Sequence, residues 1–125
     1  MTLERKPSLE DRYTYLARVV RVIDGDTVSL DIDLGCGTWL RGEHCRLYGI
    51  DTPETRGGTA EEKIAGHKAT MHLEHLLSDV NPLLIRTHQD RKGKWGRWLV
   101  ELFDSDGNSI NARMIRDGFA SEFGE

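Results

Sequence analysis

Residues 13–33 read Tyr13-Thr14-Tyr15-Leu16-Ala17-Arg18-Val19-Val20-Arg21-Val22-Ile23-Asp24-Gly25-Asp26-Thr27-Val28-Ser29-Leu30-Asp31-Ile32-Asp33. The run from Tyr13 to Ile23 is rich in aromatic and β-branched residues, which pack well on a pleated surface. The run from Thr27 to Asp33 alternates polar with apolar at period two, so Val28, Leu30 and Ile32 share one face. Asp24-Gly25-Asp26 between them is a turn signal. Together they predict a hairpin with one face inward. Residues 1–12 are expected to be a loose leader, which leaves 13–125 as the domain.

Beyond this hairpin, Leu34-Gly35-Cys36-Gly37 predicts a second turn, and a third strand follows from about Trp39 to Tyr48. The glycines and Pro53 of Asp51-Thr52-Pro53-Glu54-Thr55-Arg56-Gly57-Gly58 exclude helix interior, so this is a loop presenting polar groups. From about Ala60 to Ser78 the period becomes helical, with Ala65, Ala69, Leu73, Leu76 and Val80 as the stripe that should lie on the sheet. Residues 83–87 and 97–103 predict two more strands. A short helix over about Ile110 to Asp117 ends at Gly118, a usual stop residue. Three strands, a helix, two strands and a helix suit an α+β, mainly β domain: a five-stranded, partly open barrel of OB-fold type with one long and one short helix.

A chain of 125 residues fits one such domain, and 38% hydrophobic with 30% charged residues is ordinary for a folded protein. No stretch approaches the roughly 20 apolar residues of a membrane-spanning helix, and Met1-Thr2-Leu3-Glu4-Arg5-Lys6-Pro7 lacks a secretory apolar core. The expectation is a soluble, cytoplasmic protein with no membrane partner. Cys36 and Cys45 are too few for a disulfide scaffold; their spacing allows a bridge across a hairpin or two free, half-buried thiols. The formal charge of −4 argues against a generally basic nucleic-acid binder. Acids gathered around a metal would nevertheless lower the total while basic residues elsewhere met phosphates.

Three groups of residues carry chemistry. Asp24-Gly25-Asp26-Thr27 and Asp51-Thr52-Pro53-Glu54 are acidic segments that could supply a hard cation with oxygen ligands from two strand ends; each alone also reads as a plain turn or solvated loop. Arg46 and Arg97 fall at strand positions near them. Guanidinium groups clamp phosphates bidentately at any relevant pH, though each arginine alone also reads as an ordinary surface residue. Asp90-Arg91-Lys92-Gly93-Lys94-Trp95-Gly96-Arg97 interleaves basic charge with an indole, which suits tracking a phosphate backbone and stacking on a base. It equally suits a charged hairpin tip whose indole folds back onto the core.

The segments Val22-Ile23-Asp24-Gly25-Asp26-Thr27-Val28, Arg46-Leu47-Tyr48-Gly49-Ile50-Asp51-Thr52-Pro53-Glu54-Thr55 and Lys94-Trp95-Gly96-Arg97 resemble the staphylococcal nuclease (thermonuclease) family in order and spacing, from about Leu16 to Ala120. The resemblance implies a calcium-dependent nuclease that hydrolyses DNA, RNA or both to 3′-phosphate and 5′-hydroxyl ends. It implies calcium ligation by the Asp26 and Asp51 carboxylates and the Thr52 carbonyl, with Asp24 in support. Glu54 matches the proposed general base, Arg46 and Arg97 the phosphate-gripping pair, and Lys94 and Trp95 the substrate-binding hairpin.

Two departures from the family stand out. The chain ends at Phe119-Ala120-Ser121-Glu122-Phe123-Gly124-Glu125, without the third helix and base-stacking tyrosines of the secreted members. Closure of the barrel is thereby left to a second subunit in a homodimer, to the leader, or to neither. Trp95 stands where tyrosine is usual, and with the acidic balance this points to modest, salt-dependent affinity. The rival to the nuclease is a catalytically weak or inactive OB-fold module that binds nucleic acid or a protein partner. It is disfavoured by the joint presence of Asp26, Arg46, Asp51, Glu54 and Arg97. His67, His72 and His75 on the long helix lack a matching acid or cysteine pair and are expected to be solvated rather than to hold zinc.

Overall fold

The computed structural model describes residues 12–124. Most of the leader expected over 1–12 lies outside them. Strands β1 (Thr14–Asp24), β2 (Thr27–Gly35) and β3 (Thr38–Leu47) form the predicted meander, and β4 (Ile50–Asp51) is a two-residue strand after it. Helix α1 (Ala60–Leu77), strand β5 (Leu83–Lys92), a 3-10 turn (Lys94–Gly96), strand β6 (Trp98–Phe103), helix α2 (Ile110–Arg116) and strand β7 (Ser121–Glu122) follow.

The barrel closes on itself in the order β1-β2-β3-β6-β5. Antiparallel pairing of Thr14–Ala17 with Leu83–Arg86 joins the first strand to β5, and β6 runs parallel to β3 through Cys45↔Trp98, Arg46↔Leu99 and Leu47↔Val100. Among the described residues these five strands close the barrel by themselves. The physical reason is the crossover through α1, which returns β5 to the free edge of β1 and lets β6 fill the gap beside β3, so that no barrel edge is left open.

Val28, Leu30, Ile32, Cys45, Leu47, Leu83, Ile85, Val100 and Leu102 point inward at period two and are buried. Helix α1 covers this core with Gly66, Ala69, Leu73, Leu76 and Leu77. The stripe is therefore turned slightly from expectation: Ala65 and Val80 are only partly buried, because Gly66 makes the closest approach and the helix stops at Leu77. Thr59 caps α1 by accepting from the Glu62 N–H, and Ser109 caps α2 from the Ala112 N–H.

Strand β5 runs past its expected end at Thr87 because Gln89 and Asp90 adopt left-handed backbone (φ 55° and 51°). This bulge is held by the Asp90 N–H donating to Thr87 Oγ1 at 2.9 Å, and pairing resumes at Lys92↔Trp98. Both cysteines are free. Cys36 is exposed at a hairpin tip and Cys45 is buried, which decides against the bridge. No helix among the described residues is long and apolar enough to cross a membrane.

Candidate active site

The turn between β1 and β2 is drawn hard against its surroundings. A Cβ added at Gly25 would lie 2.8 Å from Ala69 Cβ on α1 and 3.0 Å from Thr52 Oγ1, so only glycine fits there. That approach aims Asp26 at the loop after β4. Its Oδ2 accepts from the Thr52 N–H at 3.3 Å, and its Oδ1 accepts from the Thr27 hydroxyl at 3.1 Å.

Arg46 faces Thr27 across the β2–β3 ladder and is only 9% exposed. Its Nη1 donates to the Leu47 carbonyl at 2.8 Å, while its Nη2 lies 3.4 Å from Asp51 Oδ1 and 3.7 Å from Asp26 Oδ2. The two carboxylates thus stand beside one guanidinium nitrogen. Asp51 itself is held by β4, which pairs with β7 through Ile50↔Glu122 and Asp51↔Ser121. Phe123 follows β7; its ring centre lies 5.3 Å from the Arg46 guanidinium carbon and its N–H donates to the Gly49 carbonyl at 2.9 Å.

Arg97 precedes β6 and reaches the same place from the other side, its Nη1 donating to Thr27 Oγ1 at 3.3 Å. Its Nε is buried without a hydrogen-bond partner among the described residues. Glu54 is exposed in the loop leading to α1, and Thr55 beside it donates to Asp24 Oδ1 at 2.9 Å. Asp24, Asp26, Arg46, Asp51, Thr52, Glu54 and Arg97 all line one polar cleft of about 260 Å³, together with Thr27 and Pro53. Four carboxylates there face two guanidinium groups.

Two expected site residues are not part of this described lining. Trp95 does not line the cleft; it is 86% exposed, on left-handed backbone (φ 66°), and so does not fold back onto the core. Lys94 opens the 3-10 turn, and its side chain lies outside what the structure describes. Thr27 and Phe123 were not foreseen as site residues. Thr27 stood inside the quoted acidic motif, whereas nothing in the sequence ties Phe123 to Arg46.

The histidines correct another expectation. His72 is half-buried, with its Nε2 2.8 Å from Asp117 Oδ2 and its ring stacked on Phe119 at 4.1 Å, so it braces α1 against α2 instead of being solvated. The hydrogen bond from His72 holds the Asp117 carboxyl below the usual carboxylate range. His67 and His75 are exposed as expected. Among the described residues no three His, Cys, Asp or Glu side chains cluster as a ready metal-binding group.

A family model described as "Staphylococcal nuclease homologue" matches residues 44–124, more than half of the chain. The chain belongs to the staphylococcal nuclease family. The matched segment carries Arg46, Asp51, Glu54 and Arg97, while Asp24 and Asp26 precede it. Among curated members, the chain is 33% identical over 104 residues to a thermonuclease of Staphylococcus intermedius, covering 82% of this chain and 56% of that protein. It is 27% identical over 128 residues to an uncharacterised protein of Methanocaldococcus jannaschii (85% and 58%). It is 28% identical over 100 residues to the SPbeta prophage-derived endonuclease YokF of Bacillus subtilis (80% and 31%). The chain thus spans at most a little over half the length of these relatives.

Proposed function

We propose that this chain is a calcium-dependent nuclease that hydrolyses phosphodiester bonds in DNA or RNA and leaves 3′-phosphate and 5′-hydroxyl ends. One observation carries the reading: two arginines and four carboxylates from four separate segments line a single polar cleft. Members of the family named as nucleases support the same reaction class.

The donor set fits a hard cation. Asp26, Asp51 and the Thr52 carbonyl are oxygen donors, and carboxylates outnumber guanidiniums in the cleft, so a divalent cation would relieve the excess negative charge before a polyanion entered. Asp26, Asp51 and the Thr52 carbonyl would hold the cation, which would supply positive charge to the phosphate oxygens.

The remaining chemistry belongs to the chain's own side chains. Arg46, nearly buried and oriented by the Leu47 carbonyl and the acids, holds a non-bridging phosphate oxygen. Arg97, whose buried Nε has no acceptor among the described residues, stabilises the charge that builds as the phosphorus becomes five-coordinate. Glu54, exposed and lining the cleft, accepts the proton of the attacking water, and the phosphorus–5′-oxygen bond breaks as the new oxygen–phosphorus bond forms, the departing 5′-oxygen taking a proton from solvent. Lys94 and Trp95 bind the strand beyond the scissile phosphate, the exposed indole stacking on a base.

The test is cleavage of single-stranded DNA, duplex DNA and RNA with calcium and with EDTA. Cutting should require calcium, and Glu54→Gln should lower kcat by about 10²- to 10⁴-fold, the usual worth of a general base. Arg46→Ala should be comparably damaging. Folded wild-type protein that binds these substrates without cutting them would replace the enzyme by a binding module.

A further inference from the structure

Glu54 sits on a loop, yet a general base must hold its place relative to the attacking water, and a misplacement of about 1 Å can cost about a hundredfold in rate. What fixes this loop is visible around it. Gly66 is buried on α1, and a Cβ added there would lie 2.7 Å from the Glu54 carbonyl oxygen, 2.8 Å from the Glu54 carbonyl carbon and 2.8 Å from the Pro53 carbonyl oxygen. These are backbone atoms, which cannot rotate away as a side chain could. The backbone of Gly66 is ordinary helix, so its want of a side chain answers to the close approach and not to a special dihedral angle.

One helical turn further on, Ala69 meets Gly25 in the turn that carries Asp26. One face of α1 therefore gauges both acid-bearing segments at once. On the far side of Glu54, Thr55 Oγ1 donates to Asp24 Oδ1 at 2.9 Å, tying the loop to the end of β1. Glu54 is held between these two contacts.

We infer that Gly66 and Thr55 are the positioning residues for Glu54: α1 sets the depth of its backbone and the Thr55–Asp24 hydrogen bond sets its lateral place. The inference rests on the reading of Glu54 as the general base. Gly66→Ala pushes the Pro53–Glu54 backbone outward, and Thr55→Val removes the tether while keeping the shape of the side chain. Neither change touches the phosphate-binding arginines.

The experiment measures kcat and KM on a single-stranded oligonucleotide with saturating calcium, for the full chain and for Gly66→Ala, Thr55→Val, Thr55→Ser and Glu54→Gln. It adds amide hydrogen exchange of residues 52–56 without calcium. Gly66→Ala should lower kcat about a hundredfold with KM within about threefold, and should speed exchange in the loop. Thr55→Val should lower kcat about tenfold and Thr55→Ser should restore it. In the Glu54→Gln background Gly66→Ala should add no further loss, because a residue acting through Glu54 has nothing left to position.

Losses that multiply in the double variant, or wild-type kcat in Gly66→Ala and Thr55→Val beside a crippled Glu54→Gln, overturn the positioning role and leave the general base standing. An unimpaired Glu54→Gln overturns the general base, and the positioning role with it. Should Gly66→Ala not fold, the contrast between Thr55→Val and Thr55→Ser decides.

Discussion

At the scale of single residues, the two cysteines show how burial separates like side chains. Cys45 is fully buried within the barrel, and burial pushes its thiol from 9.0 up to about 12; Cys36 is exposed at a hairpin tip. A thiol reagent should therefore modify one cysteine in the native protein and two in denaturant. The sign of the pH dependence follows from the same shift. Between pH 9.0 and about 12 the unfolded chain has lost the Cys45 proton and the native chain retains it, so stability falls as pH rises. The limiting slope is about 1.4 kcal/mol per pH unit for one group. The Tyr15 phenol, raised to about 12 first by burial and then by its hydrogen bond to Asp90, acts in the same direction from pH 10.0. Urea denaturation at several alkaline pH values should show the decline, and Cys45→Ala should flatten its lower part.

At the scale of elements, the short helix α2 buries Ile110 and Met114 in the core and is tied to the neighbouring backbone by one polar side chain. Asn111, 3% exposed, accepts from the Leu102 N–H at 3.0 Å and donates to the Tyr48 carbonyl at 2.9 Å and the Val100 carbonyl at 3.1 Å. It thereby docks α2 on β6 and on the chain leaving β3. Asn111→Ala would leave buried backbone groups without partners, and the expected cost is about 3 kcal/mol in chemical denaturation. Because α2 leads into β7, and β7 pairs with Asp51, the same variant should also weaken calcium binding in isothermal titration. The His72–Asp117 contact, with Arg113 Nε 3.5 Å from the same Asp117 oxygen, is a second fastening of α2, this time to α1.

At the scale of the whole molecule, closure of the barrel brings strand ends from distant parts of the chain to one cleft. Carboxylates held together there repel one another, so calcium should stabilise the native state. At a calcium concentration about a hundred times Kd the gain should be about 2.7 kcal/mol. Thermal melts with and without calcium should show a rise in Tm that Asp26→Asn abolishes; an equal rise in that variant would move the metal elsewhere. The sequence by itself determined the meander, both helices, the mainly β class and the acidic and arginine motifs, because alternation, turn residues and caps are local signals that survive without tertiary context. Seven residues named for the site from those motifs and their supporting acid line the one cleft. Only the tertiary structure decided that the barrel closes through β1–β5 and β3–β6, that His72 braces two helices, that β7 supports Asp51, and that Gly66 touches Glu54. Each of these is a contact between segments far apart in the chain, where local propensity carries no information and only the packed geometry of the core selects the partner.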